Sequence, residues 1–196
     1  MSIYQKAAGG TGNEELLVET TQAPMDWSSD GRFIIYRRED FSSDVWALPT
    51  FGDRKPFPVL QSKFREDWAR LSPDGHWIAY NCDESGRPEI YVQNFPPSGG
   101  KWQVSVQGAL QPRWRRDGKE VIYNTSDLKI MAVDVNPGST FEVGVPRMLF
   151  EIPNQTVNIR CAMTPDGQRF LFPFPATETA RPPITLLTNW TATIKK

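Results

Sequence analysis

The stretch "RLSPDGHWIAYN", from Arg70 to Asn81, joins a Pro-Asp-Gly turn to a short apolar run, and this combination decides the fold class. In a tight turn, an aspartate accepts a hydrogen bond from the backbone two residues on, and a glycine adopts the positive φ that closes the hairpin. The run from Trp77 to Tyr80 is apolar at every position, which is typical of a strand covered on both faces. The stretch therefore predicts a hairpin whose second strand is buried.

The same kind of turn recurs at a nearly fixed interval along the chain. Intervals of 44, 43 and 49 residues separate the aspartates of four structural turns, Asp30-Gly31, Asp74-Gly75, Asp117-Gly118 and Asp166-Gly167. Large apolar or aromatic residues stand three positions before and six positions after each aspartate, namely Trp27, Leu71, Trp114 and Met163, then Tyr36, Tyr80, Tyr123 and Phe172. A period of this length is typical of a repeat array.

Each repeat predicts four antiparallel strands. A second hairpin follows the first at "REDFSSDVWALP", "DESGRPEIYVQNF" and "NTSDLKIMAVDV", and a fourth strand follows at "RKPFPVL", "KWQVSV" and "PRMLFE". Four strands in about 45 residues match a propeller blade. A helical repeat is excluded because prolines interrupt the pattern at Pro56, Pro58, Pro96, Pro97, Pro137 and Pro146. We therefore predict an all-β fold, a β-propeller of four-stranded antiparallel blades.

The chain holds about four blades. We expect residues 1–20 to supply the last strands of a preceding blade, residues 21–62, 63–107 and 108–152 to form full blades, and residues 153–196 to form a final three-stranded blade. Either "EELLVE" completes the last blade and closes a four-bladed ring, or the propeller stays incomplete and open. We favour the open arc, which would be prone to self-association through its uncovered blade edges.

Composition excludes several classes of partner. With 22 basic and 23 acidic residues, the net charge of −1 gives no general attraction to nucleic acid. No apolar run approaches the roughly 18 residues of a membrane span, and the N-terminal residues lack the apolar core of a signal peptide. The cysteines Cys82 and Cys161 form no metal-binding or disulfide pattern, and we expect them to be buried as small apolar residues.

The repeats resemble a known family. The "SPDG" turns with their following strands resemble the WD40-like repeat of the TolB β-propeller, which occurs also in prolyl oligopeptidase-type peptidases. The longer phrases "EDWARLSPDGHWIAYNCDESGRPEIYVQNFP", "QPRWRRDGKEVIYNTSDLKIMAVDV" and "ITLLTNWTATIKK" resemble the C-terminal propeller of bacterial eukaryotic-like serine/threonine kinases, notably those of acidobacteria. The Gly-rich loop, Val-Ala-Ile-Lys, His-Arg-Asp and Asp-Phe-Gly motifs of kinases do not occur in the sequence.

The resemblance implies a non-catalytic module that binds a protein or ligand, as the sensor or scaffold region of such a kinase. The alternatives are the substrate-gating propeller of a prolyl oligopeptidase-type serine peptidase and a free-standing TolB-like periplasmic scaffold. The compartment stays open as well. The chain as written is cytoplasmic, whereas a place at the tail of a membrane kinase implies an extracytoplasmic location.

The residues that could carry out catalysis or bind a metal have simpler, structural interpretations. His76, the single histidine, occupies the position of Arg32, Lys119 and Gln168 in the other repeats, so we expect it to be exposed on a turn. No Gly-x-Ser-x-Gly nucleophile elbow accompanies it, which argues against a hydrolase. "CDESGRPE", with Asp83, Glu84 and Glu89, predicts a solvated hairpin loop rather than a calcium site. We assign no catalytic residue, metal ligand or cofactor, and we expect Trp114 to be a core residue rather than a base-stacking platform.

The mouth of the central channel is the best candidate binding surface. The first strand of each propeller blade lines the channel, and loops on such a scaffold often carry binding residues. The segments that enter these strands supply a mixed set suited to a polar peptide or small ligand, namely Asp26, Arg65, Glu66, Asp67, Arg70, Arg113 and Arg160. Alternatively, any one of these side chains packs between blades.

Overall fold

A computed structural model describes residues 2–20, 24–39, 43–138, 140–152 and 161–172. These residues form seventeen strands arranged in five antiparallel sheets. The first sheet is a pair, β1 (Ser2–Gln5) and β2 (Glu15–Glu19). The second is β3 (Pro24–Trp27), β4 (Phe33–Glu39), β5 (Ser43–Pro49) and β6 (Phe57–Leu60). The third is β7 (Glu66–Leu71), β8 (Trp77–Cys82), β9 (Glu89–Asn94) and β10 (Lys101–Gln103).

The remaining strands form a larger sheet and a second pair. The fourth sheet contains β11 (Leu110–Trp114), β12 (Glu120–Asn124), β13 (Lys129–Pro137), β14 (Phe141–Val143) and β15 (Arg147–Glu151). The fifth is the pair β16 (Ala162–Met163) and β17 (Phe170–Leu171). In the second and third sheets, strand order follows chain order, so each strand pairs with the next. The described residues include no helix that is long and apolar enough to cross a membrane.

The prediction of an all-β propeller built from antiparallel sheets is confirmed. The first strands of the three large sheets, β3, β7 and β11, contact one another in sequence, as the inner strands of consecutive blades do. Within the described ranges, no strand pairing joins β1 and β2 to β16 and β17. The sheets therefore form an incomplete propeller. The expected third strand of the last blade, "ITLLTNW", lies outside the described residues.

The hydrophobic core lies between successive sheets rather than at one centre. Strand β8 shows the reason, because all six of its residues are buried and their side chains alternate between two interfaces. Ile78, Tyr80 and Cys82 pack against the second sheet, whereas Trp77 and Ala79 pack against the fourth. The strand is covered on both faces, as its unbroken apolar run predicts, and Cys82 is a buried core residue.

The Asp-Gly turns share one hydrogen-bond pattern. In the third sheet, the Ser72 hydroxyl donates to Asp74 at 2.5 Å and accepts from the Trp77 amide at 3.0 Å, while Asp74 accepts from the His76 amide at 3.1 Å. Gly75 adopts a φ of 72°, which a side chain would disfavour. Ser28 and Thr164 make the corresponding bonds in the second and fifth sheets. In the fourth sheet the Arg115 guanidinium replaces the hydroxyl and donates to Asp117 at 2.8 and 2.9 Å.

Two features of the fold differ from the sequence-based expectations. Strand β14 was not predicted; it pairs with the end of the nine-residue β13 and places Phe141 against Trp77, with ring centroids 4.7 Å apart. Trp27 shares the repeat position of Trp114, for which we expect a place in the core, but Trp27 is 54% exposed. Its counterpart Trp114 is 9% exposed and its indole donates to the Arg70 carbonyl of the preceding inner strand at 3.1 Å. The described part of the first sheet has no inner strand to cover Trp27.

Candidate functional site

A row of charged side chains runs across the inner strands. Asp26, Arg70 and Arg113 each stand four positions before a turn aspartate, and they lie on the neighbouring strands β3, β7 and β11. Asp26 bridges two sheets, because its carboxylate accepts a hydrogen bond from the Leu71 amide at 2.7 Å. Burial raises the pKa of Asp26, and the nearby positive charge of Arg70 partly opposes that rise. The sequence register therefore brings three of the predicted residues together.

A bulge in each inner strand lies beside this row. The pairing register shifts between Pro24 and Asp26, between Asp67 and Arg70, and between Leu110 and Arg113. Trp68 and Gln111, at the same position of successive repeats, adopt positive φ values of 55° and 54°. Such a conformation is unfavourable for residues other than glycine, and a bulge redirects the neighbouring side chains. The inner strands β7 and β11 thus have irregular backbone at an equivalent point.

Asp67 is held by a neighbouring sheet. Its carboxylate accepts a hydrogen bond from the Arg37 guanidinium of β4 at 2.9 Å, and both side chains are largely buried. The guanidinium of Arg65 also approaches Asp67, at 3.6 Å, but the Arg65 side chain is 67% exposed. Asp67 therefore joins two sheets, whereas Arg65 presents its charge to solvent just before β7.

Arg113 joins the fourth sheet to the segment that leads into β16. Its guanidinium donates to the carbonyl of Cys161 at 2.6 Å and to that of Gln111 at 3.0 Å. Burial lowers the pKa of Arg113. Arg70, half-buried beside it, donates to the carbonyl of Ala69 at 3.2 Å. The predicted residue Arg160 lies outside the described residues, so its place relative to this row is not described.

Glu66 lies apart from the row. It begins β7, its residue is 3% exposed, and one carboxylate oxygen accepts from the Ser62 hydroxyl at 2.7 Å. Burial raises the pKa of Glu66. The side chain lines a cavity between the second and third sheets, together with Tyr80, Gln93 and Lys101. Its environment is therefore an interface between sheets.

Glu89 was placed in a solvated loop by the sequence, and this expectation is wrong. The residue is 1% exposed at the start of β9. Its carboxylate accepts hydrogen bonds from the Arg87 guanidinium at 2.8 Å, the Gly108 amide at 2.8 Å and the Ser105 hydroxyl. A buried carboxylate is tolerated when it is satisfied in this way. Glu89 is thus a structural anchor that ties β9 to the loop before β11.

The described residues show no obvious catalytic constellation. His76 is exposed on the second turn, where its backbone amide donates to Asp74. In the ranges that the structure covers, no group of three or more His, Cys, Asp or Glu side chains has a metal-binding arrangement. Burial raises the pKa of the thiols of Cys82 and Cys161, which keeps them protonated and unreactive at neutral pH.

Comparisons with known proteins show the fold class. No family model and no curated protein matches the chain. Among solved structures, TolB from Acinetobacter baumannii is similar with a TM-score of 0.65 and 20% identity, over 86% of this chain and 42% of that one. A protein described as TolB from Agrobacterium tumefaciens is similar with a TM-score of 0.62 and 20% identity, over 77% of this chain and 57% of that one. A puromycin-hydrolyzing peptidase from Mycobacterium tuberculosis is similar with a TM-score of 0.52 and 17% identity, over 70% of this chain and 25% of that one.

These similarities show that the chain has a β-propeller fold similar to that of the TolB structures. The chain spans about half the length of the two TolB structures, 57% and 42%. At 20% identity and below, the likeness concerns the fold, and function has to be argued from the chain's own residues.

Proposed function

We propose that this chain is a non-catalytic β-propeller module that binds a polar peptide segment of a protein partner at the channel mouth. The observation that carries the proposal is the row of Asp26, Arg70 and Arg113 on consecutive inner strands. Arg65 adds an exposed guanidinium at the edge of the row. Guanidinium groups bind carboxylates and carbonyl oxygens through paired hydrogen bonds, so the row suits a peptide that carries carboxylates.

The surroundings of the row favour binding over catalysis. Asp26, Asp67 and Arg113 each form a hydrogen bond to a neighbouring sheet or to the segment before β16, and these bonds hold the side chains in place. His76 is exposed on the turn that follows β7, and its backbone amide donates to Asp74. Rigid, pre-positioned charges lower the entropic cost of binding a partner.

The finer proposal is that the module is the sensor or scaffold region of a bacterial serine/threonine kinase. The kinase-like phrases of the sequence support it, and the propeller fold agrees with it. The flanking reading frame tests it directly. A kinase domain and a membrane span upstream would support this role, whereas an α/β-hydrolase domain downstream would overturn it in favour of a peptidase propeller.

The binding proposal is tested with peptide probes and a matched pair of variants. We expect an acidic hexapeptide, titrated into the protein at low salt, to shift amide resonances of β7 and β11 more strongly than a basic hexapeptide does. Substitution of both Arg65→Ala and Arg70→Ala should weaken acidic-peptide binding at least tenfold. Arg116→Ala, which removes an exposed arginine beside the turn of the fourth sheet, is the control and should bind as the parent does. Equal binding by the double variant would refute the site.

A further inference from the structure

A cavity of about 310 Å³ lies between the second and third sheets, and we call it the Glu66 cavity. Leu60 of β6 lines one side, and Tyr80, Gln93 and Lys101 of the third sheet line the other. The Gln93 amide donates to the carbonyl of Val59 at 3.2 Å, which bridges the two sheets at the cavity wall. The volume is at the lower end of the range of small-molecule sites, which is about 300 to 1,000 Å³.

The carboxylate of Glu66 lacks a full set of partners. One oxygen accepts from Ser62, but Oε2 is buried without a hydrogen-bond partner among the residues described. Buried carboxylate oxygens are normally paired, and an unpaired one destabilises the ionised form. The terminal torsion of a glutamate side chain is soft, so the carboxylate can turn this oxygen toward the cavity that it lines.

An ammonium group already lies beside one wall of the cavity. The Nζ atom of Lys101 lies 5.8 Å from the ring centroid of Tyr80, which also lines the cavity, and 4.4 Å from that of Tyr91, which does not. Both distances are within the range of cation–π interactions. The same Nζ forms its ion pair with Glu84 Oε2 at 2.5 Å, so Lys101 acts on Glu66 only through its charge.

The local charge balance is negative. Three carboxylates, those of Glu66, Glu84 and Asp44, act on this region together with the single ammonium of Lys101. Glu84 and Asp44 oppose ionisation of Glu66, whereas Lys101 favours it. A second cation in the cavity would pair with Glu66 and reduce the repulsion among the three carboxylates.

We propose that the Glu66 cavity binds the ammonium group of a small organic amine, with the Glu66 carboxylate as its counter-ion. The Tyr80 ring, which already lies beside an ammonium group, the unpaired buried carboxylate oxygen of Glu66 and the cavity volume together define the ligand class. The inference goes beyond the proposed function and does not rest on it, because the cavity lies between two sheets while the peptide site lies on the inner strands.

The test uses 1,4-diaminobutane and 1-butanol as probes of similar length with and without charge. Calorimetric titration of the full chain at neutral pH and low salt should show saturable one-to-one binding of the diamine and no binding of the alcohol. Glu66→Gln, which keeps the shape of the side chain and removes its charge, should weaken diamine binding at least tenfold. Glu14→Gln, an exposed glutamate before β2, is the matched control and should bind as the parent does.

Further arms keep the test decisive. If Glu66→Gln does not fold, Glu84→Gln frees the cavity residue Lys101 from its ion pair and leaves its ammonium to compete for Glu66, so this variant should weaken binding several-fold. Unchanged binding by that variant would overturn the proposal. A lysine with both backbone termini blocked distinguishes a polypeptide side chain from a free amine, because either source supplies the same ammonium group. Tighter binding of blocked lysine assigns the cavity to a peptide, and tighter binding of the diamine assigns it to a metabolite. Indistinguishable titrations of diamine and butanol would refute the site.

Discussion

Trp27 and Trp114 occupy the same position of the repeat and lie in opposite surroundings. Trp114 is packed between the third and fourth sheets, with its indole bonded to the Arg70 carbonyl. Trp27 lies on the part of the second sheet that β1 and β2 leave uncovered, which we call the open face, and its indole donates to the carbonyl of Gly31 within its own turn at 3.0 Å. The comparison shows that burial in this fold depends on the neighbouring sheet, since both tryptophans stand three positions before a turn aspartate at the end of an inner strand.

The largest expected effect is the loss of stability when Trp114, the covered tryptophan, is replaced. Trp114→Ala removes a buried ring and a bond between sheets, so we expect the free energy of unfolding to fall by about 3 kcal/mol or more. Trp27→Ala should lower it by less than about 1 kcal/mol, because the ring is largely exposed. Urea unfolding followed by circular dichroism checks both variants. Equal losses would contradict the assignment of the covered and open faces.

The open face should also associate with a second copy of the chain. Tyr4, Leu16 and Trp27 are exposed, and a groove of about 440 Å³ lies beside them, lined also by Met25 and Ile34. Contiguous apolar surface of this kind favours association. Sedimentation at increasing concentration should show a dimer whose association constant falls at least tenfold in Trp27→Lys. Val145→Lys is the control, because Val145 is exposed and does not line this groove. A parent that stays monomeric would contradict this prediction.

The Asp-Gly turns of the second and third sheets should contribute equally to the free energy of unfolding. Ser28 and Ser72 each donate to the turn aspartate and accept from the backbone amide five residues on. We expect Ser28→Ala and Ser72→Ala to lower the free energy of unfolding by about 1 kcal/mol each, because both bonds are local to the turn. Urea unfolding measures the two losses. A loss confined to Ser72→Ala would show that coverage by the neighbouring sheet controls the turns as well.

Local features of the fold could be predicted from the sequence, and features that depend on neighbours could not. The Asp-Gly turns and the buried run from Trp77 to Tyr80 follow from residue preferences within a few positions. The exposure of Trp27, the burial of Glu89 and the added strand β14 depend on packing between sheets, which no local pattern encodes. Asp26, Arg70 and Arg113 were candidates because they lie in the segments that enter the inner strands, and their shared position four residues before the turn aspartate was not used.

The rest of the candidate site depends on backbone irregularity. A strand alternates its side chains with a period of two, but a bulge inserts a residue and changes which face follows. The positive φ values of Trp68 and Gln111 lie within such bulges, and nothing in these two residue types indicates them. The sequence could therefore place Glu66 near the mouth but not show that its carboxylate enters a cavity between sheets. The hydrogen bond from Arg113 to the Cys161 carbonyl could not be predicted either, because it joins residues of different repeats.

The smallest expected effect is on the pH dependence of stability. It distinguishes Glu14, an exposed carboxylate just before β2, from Glu66, a buried carboxylate between the second and third sheets. Burial raises the pKa of Glu66 above its ordinary value of 4.5, whereas the hydrogen bond from Lys6 lowers the pKa of the exposed Glu14. The contribution of Glu66 to stability is therefore full below pH 4.5 and is lost as the pH rises through the raised pKa. The contribution of Glu14 has the opposite sign, since it is present above pH 4.5 and is lost as the pH falls through the lowered pKa. Relative to the parent, Glu66→Gln should gain stability as the pH is raised from 4 to 7, and Glu14→Gln should lose it. Urea unfolding at intervals of half a pH unit measures both differences, and slopes of the same sign would contradict the distinction between the two sites.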